Sequence, residues 1–409
     1  MIRDTCLVCN SKNIKEIIDL GMHPFADTFI PKDKISEHDS AYPLVCDLCL
    51  DCGQVQLKYP TSPEERYCSL DYSYTSSNSN FSRTHWINYA KEVSSKINLK
   101  SGSLVIEVGS NDGFLTKEFI NQGNKAFGVD PSEYMAKLAK ERNVETVTEL
   151  FNKETAEKLV KEKGHANLVV ANNVFNHSEN PLDFAQAAAT LLAKEGVFVF
   201  ELPYWAISME SGKFDQIYHE HVSYFTAKSS KELMERAGMR IFAIDVVNYH
   251  GGSLRVYAKL ARDLQNNCLE LNNIIMEEEK KGLFKDSTYD VLMKNFLSQK
   301  YEFLARVHEL KKKGASILAV GAAAKGNTFL NFYNLDSHIL DYVTDSSPHK
   351  QGKYTPLTRI PITGDEVFKN YLGKEVYAVI TSWNLAEQLK PILSSINPDI
   401  KFISPDNLH

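Results

Sequence analysis

The sequence predicts an α/β protein built from a small cysteine-rich domain followed by two doubly wound units. Three observations lead to this prediction. The chain has 409 residues, which is too long for one ordinary core. Five of its seven cysteines fall within the first 52 residues. From about residue 81 onward, short apolar runs alternate with helical stretches, a pattern typical of a doubly wound sheet.

Changes in cysteine content and in apolar periodicity along the chain place the predicted domains at residues 1–80, 81–262 and 263–409. In the second domain, apolar runs and helical periodicity predict strands at 104–108, 126–130, 168–171 and 197–200 and helices at 131–142, 153–163 and 181–194. A charged, helix-prone stretch at about 264–313 is expected to connect this domain to the third, with its charge runs as solvated faces. Apolar runs in the third domain predict strands at 317–320, 339–343 and 376–380.

Composition and charge exclude several classes of function. Hydrophobic residues make up 43% of the chain and charged residues 24%, which is ordinary for a globular protein. The formal net charge of −6 argues against nucleic acid as the principal partner. The first residues contain no apolar signal segment, and no run of apolar residues is long enough to span a membrane. We therefore expect a cytoplasmic protein without a membrane partner.

Two thiol pairs predict a structural zinc site in the first domain. Cys6 and Cys9 form one C-x-x-C pair, and Cys49 and Cys52 form another about 40 residues later. Zinc prefers four soft ligands in a tetrahedron, and a site filled by four protein ligands is structural. Cys46 has the same spacing to Cys49, but Gly53 suits a tight turn directly after Cys52. Buried or redox-active thiols are the alternative interpretation.

A glycine loop follows the first predicted strand of the second domain and has the spacing E-x-G-x-x-x-G. Glycines at such a turn let the backbone approach a ligand closely, and an acidic residue at the end of the next strand can bind a ribose diol. This combination resembles motifs I and II of the class I methyltransferases, which bind S-adenosylmethionine. Packing glycines and a nicotinamide-binding domain are the alternatives. The candidate cofactor-binding residues are Glu107, Gly109, Asn111, Gly113, Asp130, Asn172 and Asn173.

Two polar segments follow strands of the same domain and carry acid–base groups. One ends in His177, and the other contains the run Tyr218-His219-Glu220-His221. Carbon attacks a sulfonium methyl only after losing a proton, which is practical next to a carbonyl. Such a reaction needs a base of near-neutral pKa and donors for the enolate oxygen. Packed or surface residues are the alternative, and a metal site is disfavoured because neighbouring side chains of an extended run diverge.

At these residues the chain resembles the zinc-containing nucleotide-sugar C-methyltransferases that make branched deoxysugars, of the tetronitrose-pathway type. The resemblance spans essentially the whole chain, from the C-x-x-C pairs to the C-terminal Rossmann-like domain. It implies a zinc-binding domain, a central class I S-adenosylmethionine-dependent methyltransferase domain and a C-terminal Rossmann-like domain. It also implies proton removal next to a 4-keto group, followed by methyl transfer to the carbanion, with S-adenosylmethionine and a structural Zn²⁺ as cofactors.

The resemblance also implies roles for individual residues. His221 is expected to take the proton from the sugar, and Glu220 to orient or tune it. The residues expected to hold the sugar and its keto oxygen are Tyr72, or Tyr74 in its place, with His177, Tyr218 and His219. In the third domain, Lys325 and Lys350 are candidates for binding a nucleotide diphosphate, with surface lysines as the alternative.

Several functions remain compatible with the sequence. An O- or N-methyltransferase acting on a sugar or small metabolite would also need a base. A zinc-knuckle protein that only binds a nucleotide is an alternative of another class, and a zinc oxidoreductase is a third. Methylation at C3 and a monomeric state are the expectations for the reaction and the assembly.

Overall fold

Three β-sheets form the framework of the protein. The computed structural model describes residues 2–61, 75–77, 79–264 and 266–407. The strands in the described part are β1 (Ile14–Pro24), β2 (Ala41–Cys49), β3 (Val55–Leu57), β4 (Leu104–Val108), β5 (Lys125–Val129), β6 (Thr146–Val147), β7 (Ala166–Asn172), β8 (Leu192–Pro203), β9 (Ser223–Tyr224), β10 (Met239–Val247), β11 (Ser253–Leu260), β12 (Ser316–Val320), β13 (Val343–Thr344), β14 (Ile362–Thr363), β15 (Val376–Ile380) and β16 (Ile400–Ile403).

The helices alternate with the strands of the two larger sheets, as the sequence pattern predicts. The α-helices in the described part are α1 (Asn80–Lys96), α2 (Phe114–Asn121), α3 (Glu133–Glu141), α4 (Lys153–Lys163), α5 (Pro181–Leu191), α6 (Trp205–Glu210), α7 (Ala227–Arg236), α8 (Leu269–Lys280), α9 (Asp286–Lys312), α10 (Ala324–Phe332) and α11 (Ala386–Ile396). Side-chain caps mark several N-termini: Ser79, Ser132 and Asn152 each accept a hydrogen bond from the backbone N–H three residues later. None of the described helices is long and apolar enough to cross a membrane.

The first sheet is antiparallel and has the order β1-β2-β3-β9. The sequence pattern of the first 80 residues is only weakly periodic, yet β1 contains 11 residues and β2 contains nine. The fourth strand, β9, comes from the middle of the chain. The small N-terminal sheet therefore incorporates a segment that directly follows the Tyr218–His221 run.

The second sheet has seven strands in the order β10-β11-β8-β7-β4-β5-β6. The five strands from β8 to β6 are parallel, while β11 inserts antiparallel between β8 and β10. Apolar side chains cover both faces, with Val169 and Phe198 on one and Leu168 and Val199 on the other. The chain runs from β4 to β5 and β6 on one side of β4 and then returns to β7 on the other side. Because the strand order reverses at this point, the carboxyl ends of β4 and β7 form the expected ligand crevice.

The third sheet is fully parallel and has the order β14-β13-β12-β15-β16. The long helix α9 packs between this sheet and the N-terminal sheet, so that Phe303 shares a core with Ile18 of β1 and Ile317 of β12. The second sheet and the third both direct carboxyl strand ends toward the segment around His221.

Two predicted elements differ from the structure. The strand predicted at 339–343 is reduced to Val343–Thr344, because Leu340 closes a turn by donating its N–H to the Asp336 carbonyl. The helix predicted at 181–194 ends at Leu191, because Leu192 already pairs with Ala166 of β7. A local turn therefore shortens the first element, and pairing with another strand ends the second.

Candidate active site and zinc cluster

Four cysteine side chains converge at the edge of the N-terminal sheet. The sulfurs of Cys6, Cys9, Cys49 and Cys52 all lie within 4.8 Å of one another. The Sγ atoms of Cys6 and Cys52 are 3.5 Å apart, as are those of Cys9 and Cys49. Tetrahedral Zn–S bonds of about 2.3 Å place sulfurs roughly 3.8 Å apart, so this cluster fits a closed structural zinc site.

Cys46 lies outside the cluster. It is fully buried on β2, where it packs with Leu44 and Leu48 on the core face. Residues three apart on a strand point to opposite faces, so Cys46 and Cys49 cannot both reach the same metal ion.

The second thiol turn is joined to the segment that follows His221. Gly53 has a positive φ of 75° and donates its N–H to the Cys49 carbonyl, which closes the turn. The chain continues into β3, where Leu57 donates a hydrogen bond to the Val222 carbonyl at 3.0 Å. Val55 of the same strand pairs with Tyr224 of β9. The zinc turn and the His221 segment are therefore two ends of one hydrogen-bonded unit.

The glycine loop after β4 requires glycine at two positions. Gly109 has φ 69°, and a Cβ there would overlap Val174 Cγ2 and lie 2.9 Å from its Cγ1. Gly113 has φ 72°, and a Cβ there would lie 2.8 Å from the Cβ of Ala139. The loop can therefore turn tightly from β4 into α2 and keep its backbone open at the carboxyl edge of the sheet.

Asp130 holds the glycine loop against the end of β5. Its Oδ2 accepts a hydrogen bond from the Asn111 N–H at 2.9 Å, and its Oδ1 accepts one from the Ser132 N–H at 3.0 Å. Burial raises the pKa of the Asp130 carboxyl. The Asn111 side chain in turn accepts a hydrogen bond from the Ser76 N–H at 2.8 Å, which connects this loop to the segment before α1.

The remaining predicted cofactor residues line the same crevice. Burial raises the pKa of Glu107 to about 8, and Thr116 donates a hydrogen bond to its carboxylate. Asn172 ends β7, and Asn173 follows with φ 53°. The buried Oδ1 of Asn173 has no hydrogen-bond partner among the described residues. An open glycine loop beside an acidic strand end and an orphaned amide oxygen fits S-adenosylmethionine.

The predicted acid–base run forms a compact turn in which Tyr218 meets His221. The Tyr218 hydroxyl lies 2.6 Å from His221 Nε2, and His221 Nδ1 lies 3.1 Å from the Gln216 carbonyl oxygen. The His177 ring approaches edge-on, with ring centroids 5.0 Å apart. Burial, and then the nearby charge of His177, lower the pKa of His221 well below its ordinary value.

The two residues between Tyr218 and His221 point toward the N-terminal sheet. His219 is fully buried, with its ring edge-on to Phe25 and Tyr42 at centroid distances of 5.8 and 5.9 Å. Glu220 accepts a hydrogen bond from the Asp27 N–H at 3.2 Å. The structure therefore places Tyr218, His221 and His177 together, while His219 and Glu220 contact residues of the N-terminal domain. Tyr72 and Tyr74 lie outside the described residues.

The third domain brings a lysine toward the same turn. Lys325 begins α10, and its Nζ lies 3.4 Å from the His250 carbonyl oxygen and 5.2 Å from the centre of the Trp383 ring. Burial lowers its pKa to about 8, although the charge of Asp215 opposes this shift. Trp383 donates its indole N–H to Asp215 at 2.6 Å. Lys350, by contrast, donates to the Ala322 carbonyl at 2.6 Å within its own domain.

Sequence reasoning missed three residues of this cluster. Asp215 falls within the polar segment but carries no motif, and Trp383 and His250 give no local signal. All three reach the site through long-range packing: Gln216 donates to the His250 carbonyl at 3.0 Å across the sheet edge.

Three family models match the chain one after another. Residues 6–67 match a zinc binding domain, residues 84–244 a methyltransferase domain, and residues 248–405 a C-methyltransferase C-terminal domain. The C-methyltransferase NovU of Streptomyces niveus is 28% identical over 390 residues, which cover 94% of this chain and 91% of that protein.

Part of the chain is similar to solved methyltransferase structures. Magnesium protoporphyrin IX methyltransferase from Synechocystis PCC 6803, with bound SAH, gives a TM-score of 0.35 at 16% identity and covers 43% of this chain and 82% of that one. An S-adenosylmethionine-dependent methyltransferase from Clostridium acetobutylicum gives 0.34 at 14% identity and covers 48% and 96%.

The family matches set aside the non-catalytic nucleotide-binding protein and the zinc oxidoreductase. They also agree with the two features of the chain itself, the four-cysteine cluster and the open glycine loop. The protein is an enzyme that uses S-adenosylmethionine and binds a structural zinc ion. The chain matches, one after another, the models of a zinc binding domain, a methyltransferase domain and a C-methyltransferase C-terminal domain, and over 94% of its length it is similar to a C-methyltransferase.

Proposed function

We propose that the methyl acceptor is a nucleotide-linked 4-keto deoxysugar and that the methyl group is added to the carbon beside the ketone, at C3. The observation that carries this proposal is the buried, uncharged histidine His221, whose Nε2 lies 2.6 Å from the Tyr218 hydroxyl. A carbon acid needs such a base because its proton is not lost spontaneously at neutral pH.

The hydrogen bonds of His221 support Nε2 as the basic nitrogen. A carbonyl oxygen can only accept, so Nδ1 must donate its proton to the Gln216 carbonyl. In a neutral imidazole this leaves Nε2 without a proton and able to accept one. Because burial lowers the pKa of His221, the neutral form prevails at physiological pH. His221 is thus prepared to take a proton at Nε2, and Tyr218 holds the ring in that orientation.

The groups around His221 are suited to the charge that develops when the proton leaves. Removing a proton beside a ketone places negative charge on the carbonyl oxygen, which hydroxyl and ammonium donors stabilise. Tyr218 and His177 lie next to the base, and Lys325 supplies a cation close enough to lower the pKa of His221 further. The same lysine, at the start of α10, is suited to an acceptor that carries a diphosphate.

S-adenosylmethionine supplies an electrophilic methyl group when it is bound in the crevice above β4 and β7. The glycine loop, Asp130 and Asn173 hold it there, while His221 takes the proton from the acceptor carbon. We also propose that the enzyme is cytoplasmic, as its sequence predicts. The covering of apolar faces of both the first and the third sheet by α9 supports a monomer.

An O- or N-methyltransferase is the competing proposal. Such an enzyme needs one base for a hydroxyl or amine, and the Tyr218–His177–Lys325 surroundings would then have no enolate to stabilise. Only the carbon-acid reaction exchanges an acceptor C–H with solvent in the absence of methyl donor, so this exchange distinguishes the two.

The test is incubation of the purified enzyme with a panel of nucleotide-linked 4-keto sugars in deuterated water, with and without S-adenosylmethionine, read by mass spectrometry. We expect a methylated product with the donor and deuterium incorporation without it. His221→Asn should lose the methylated product and the deuterium incorporated at the methylated carbon, and it should keep its affinity for S-adenosylmethionine. His308→Asn, on the exposed surface of α9, is the matched control.

Absence of both signals across the panel, with S-adenosylmethionine binding proven by calorimetry, would favour O- or N-methylation of another acceptor. Full activity of His221→Asn would instead remove the base assignment and leave His177 or Glu220 as candidates.

A further inference from the structure

A second histidine beside the S-adenosylmethionine crevice is held by a buried chain of charges. Glu201 is fully buried at the carboxyl end of β8, and its two oxygens have different partners. Its Oε1 lies 2.7 Å from His85 Nε2, and its Oε2 accepts from Arg255 Nε at 2.6 Å. Arg255 also donates to Glu92 at 2.7 Å, so its guanidinium compensates the buried carboxylate.

The charged group of His85, Glu201 and Arg255 lies beside the crevice at the carboxyl ends of β4 and β7. Glu201 is the register partner of Asn172, and its carbonyl accepts a hydrogen bond from the Asn173 N–H at 2.8 Å. The His85 ring stacks flat on Tyr249 with centroids 3.6 Å apart. Tyr249 leads directly into His250, whose carbonyl contacts Lys325. His85 is therefore linked through Glu201 to the end of β7, and through Tyr249 and His250 to Lys325.

His250 interacts electrostatically with both His85 and His221. Burial lowers the pKa of His250, and the charges of Lys325 and then His85 lower it further. His250 in turn acts on the pKa of His221. Both imidazoles are therefore within electrostatic range of one residue, and a protein oxygen orients each ring, Glu201 for His85 and the Gln216 carbonyl for His221.

The carboxylate determines the tautomer of His85. With Nε2–H donated to Glu201, the lone pair of a neutral ring lies on Nδ1. Among the described residues, no hydrogen bond is formed to Nδ1, and 13% of the side chain is exposed. A histidine oriented by a buried carboxylate with its second nitrogen open is the arrangement of a general base.

We propose that His85 is a second proton-transfer residue of the acceptor site and acts on the other carbon flanking the ketone, with Glu201 and Arg255 as positioning residues. This rests on the proposed function, because a ketone is flanked by two carbons whose hydrogens are both acidic. His85 Nδ1 takes the proton: the C–H bond breaks, an N–H bond forms, and the electron pair moves into the enolate with charge on the carbonyl oxygen. The Nδ1–H proton then exchanges with solvent, and transfer of a solvent-derived proton from His85 back to the carbon regenerates the ketone, so the net reaction is exchange with solvent.

The test uses a thymidine diphosphate-linked 4-keto-6-deoxyhexose in deuterated water without S-adenosylmethionine, followed by proton NMR at both carbons beside the ketone. We expect the wild-type enzyme to exchange both positions. His85→Ala should slow exchange at the unmethylated carbon by about 10²–10⁴-fold, the usual contribution of a general base, and leave the other unchanged. His221→Asn should show the opposite selectivity.

Two further variants separate a chemical role from a structural one. Added imidazole should restore exchange at the unmethylated carbon in His85→Ala, which a merely packing residue would not permit. Glu201→Gln should impair the same carbon selectively, while S-adenosylmethionine affinity and the melting temperature remain near those of a His308→Ala control.

Exchange at only one carbon in the wild type, or equal loss at both carbons in His85→Ala, would overturn the role of His85 and leave the proposed function standing. Exchange at neither carbon would overturn the proposed function itself.

Discussion

Replacing Gly109 by alanine should destabilise the protein by about 2–5 kcal/mol, from two separable terms. An L-residue at φ 69° costs roughly 1–2 kcal/mol because its Cβ approaches the following carbonyl. The new methyl would also overlap Val174 Cγ2, and overpacking of this kind typically costs about 1–3 kcal/mol. Val174 follows Asn173 directly, so the displacement should also move the segment that we propose binds S-adenosylmethionine.

A double-mutant cycle separates the two terms. Val174→Ala removes the overlapping methyls from a half-buried position and by itself should cost about 1 kcal/mol. Combined with Gly109→Ala it should recover about 1–3 kcal/mol, leaving only the backbone term. Urea unfolding gives the free energies, and calorimetry gives the affinity for S-adenosylmethionine. A Gly109→Ala protein as stable as the wild type, or additive effects in the double variant, would refute this reasoning.

Three further predictions concern the metal, the cysteines and one buried histidine. Removing zinc with a chelator should lower kcat while S-adenosylmethionine affinity persists, because the zinc turn holds the strand that pairs beside the His221 segment; unchanged kcat in zinc-free protein would contradict this coupling. Cys49→Ser should lose the zinc that Cys46→Ala retains, as measured by atomic absorption. Burial lowers the pKa of His23 to about 4 from an ordinary 6.5. The contribution of neutral His23 to the free energy of unfolding is therefore complete above pH 6.5 and is lost as the pH falls through 4. The loss is on the order of 3 kcal/mol. In a His23→Gln variant, the free energy from urea unfolding should change less with pH across this range, and an equally steep dependence would count against the prediction.

Local spacing predicted much of the site. Each C-x-x-C pair is a single turn, so its geometry depends on neighbouring residues, and Gly53 marked the correct pair. The loop from Glu107 to Gly113 was predicted with its strand on one side and its helix on the other. These features are determined within a few residues, where backbone sterics and hydrogen bonds decide the conformation.

The orientation of the acid–base residues required the tertiary structure. Tyr218, His219, Glu220 and His221 are adjacent in sequence, yet His219 enters an aromatic cluster of the N-terminal sheet while His221 meets Tyr218. In a turn without regular periodicity, side-chain direction follows from the partners that surround it. Those partners come from residues almost 200 positions away, such as Asp27 beside Glu220.

The sequence by itself determined the order of the cysteine-rich domain and the two α/β domains. It also determined the four clustered cysteines and the glycine loop, because each of these features depends on short-range periodicity or spacing. Only the tertiary structure brought His85, Glu201 and Arg255 together, joined β9 to the zinc-bearing sheet and placed Lys325 near His221. These arrangements depend on which strands pair and which buried charges must be compensated, and such long-range contacts leave no local pattern in the chain.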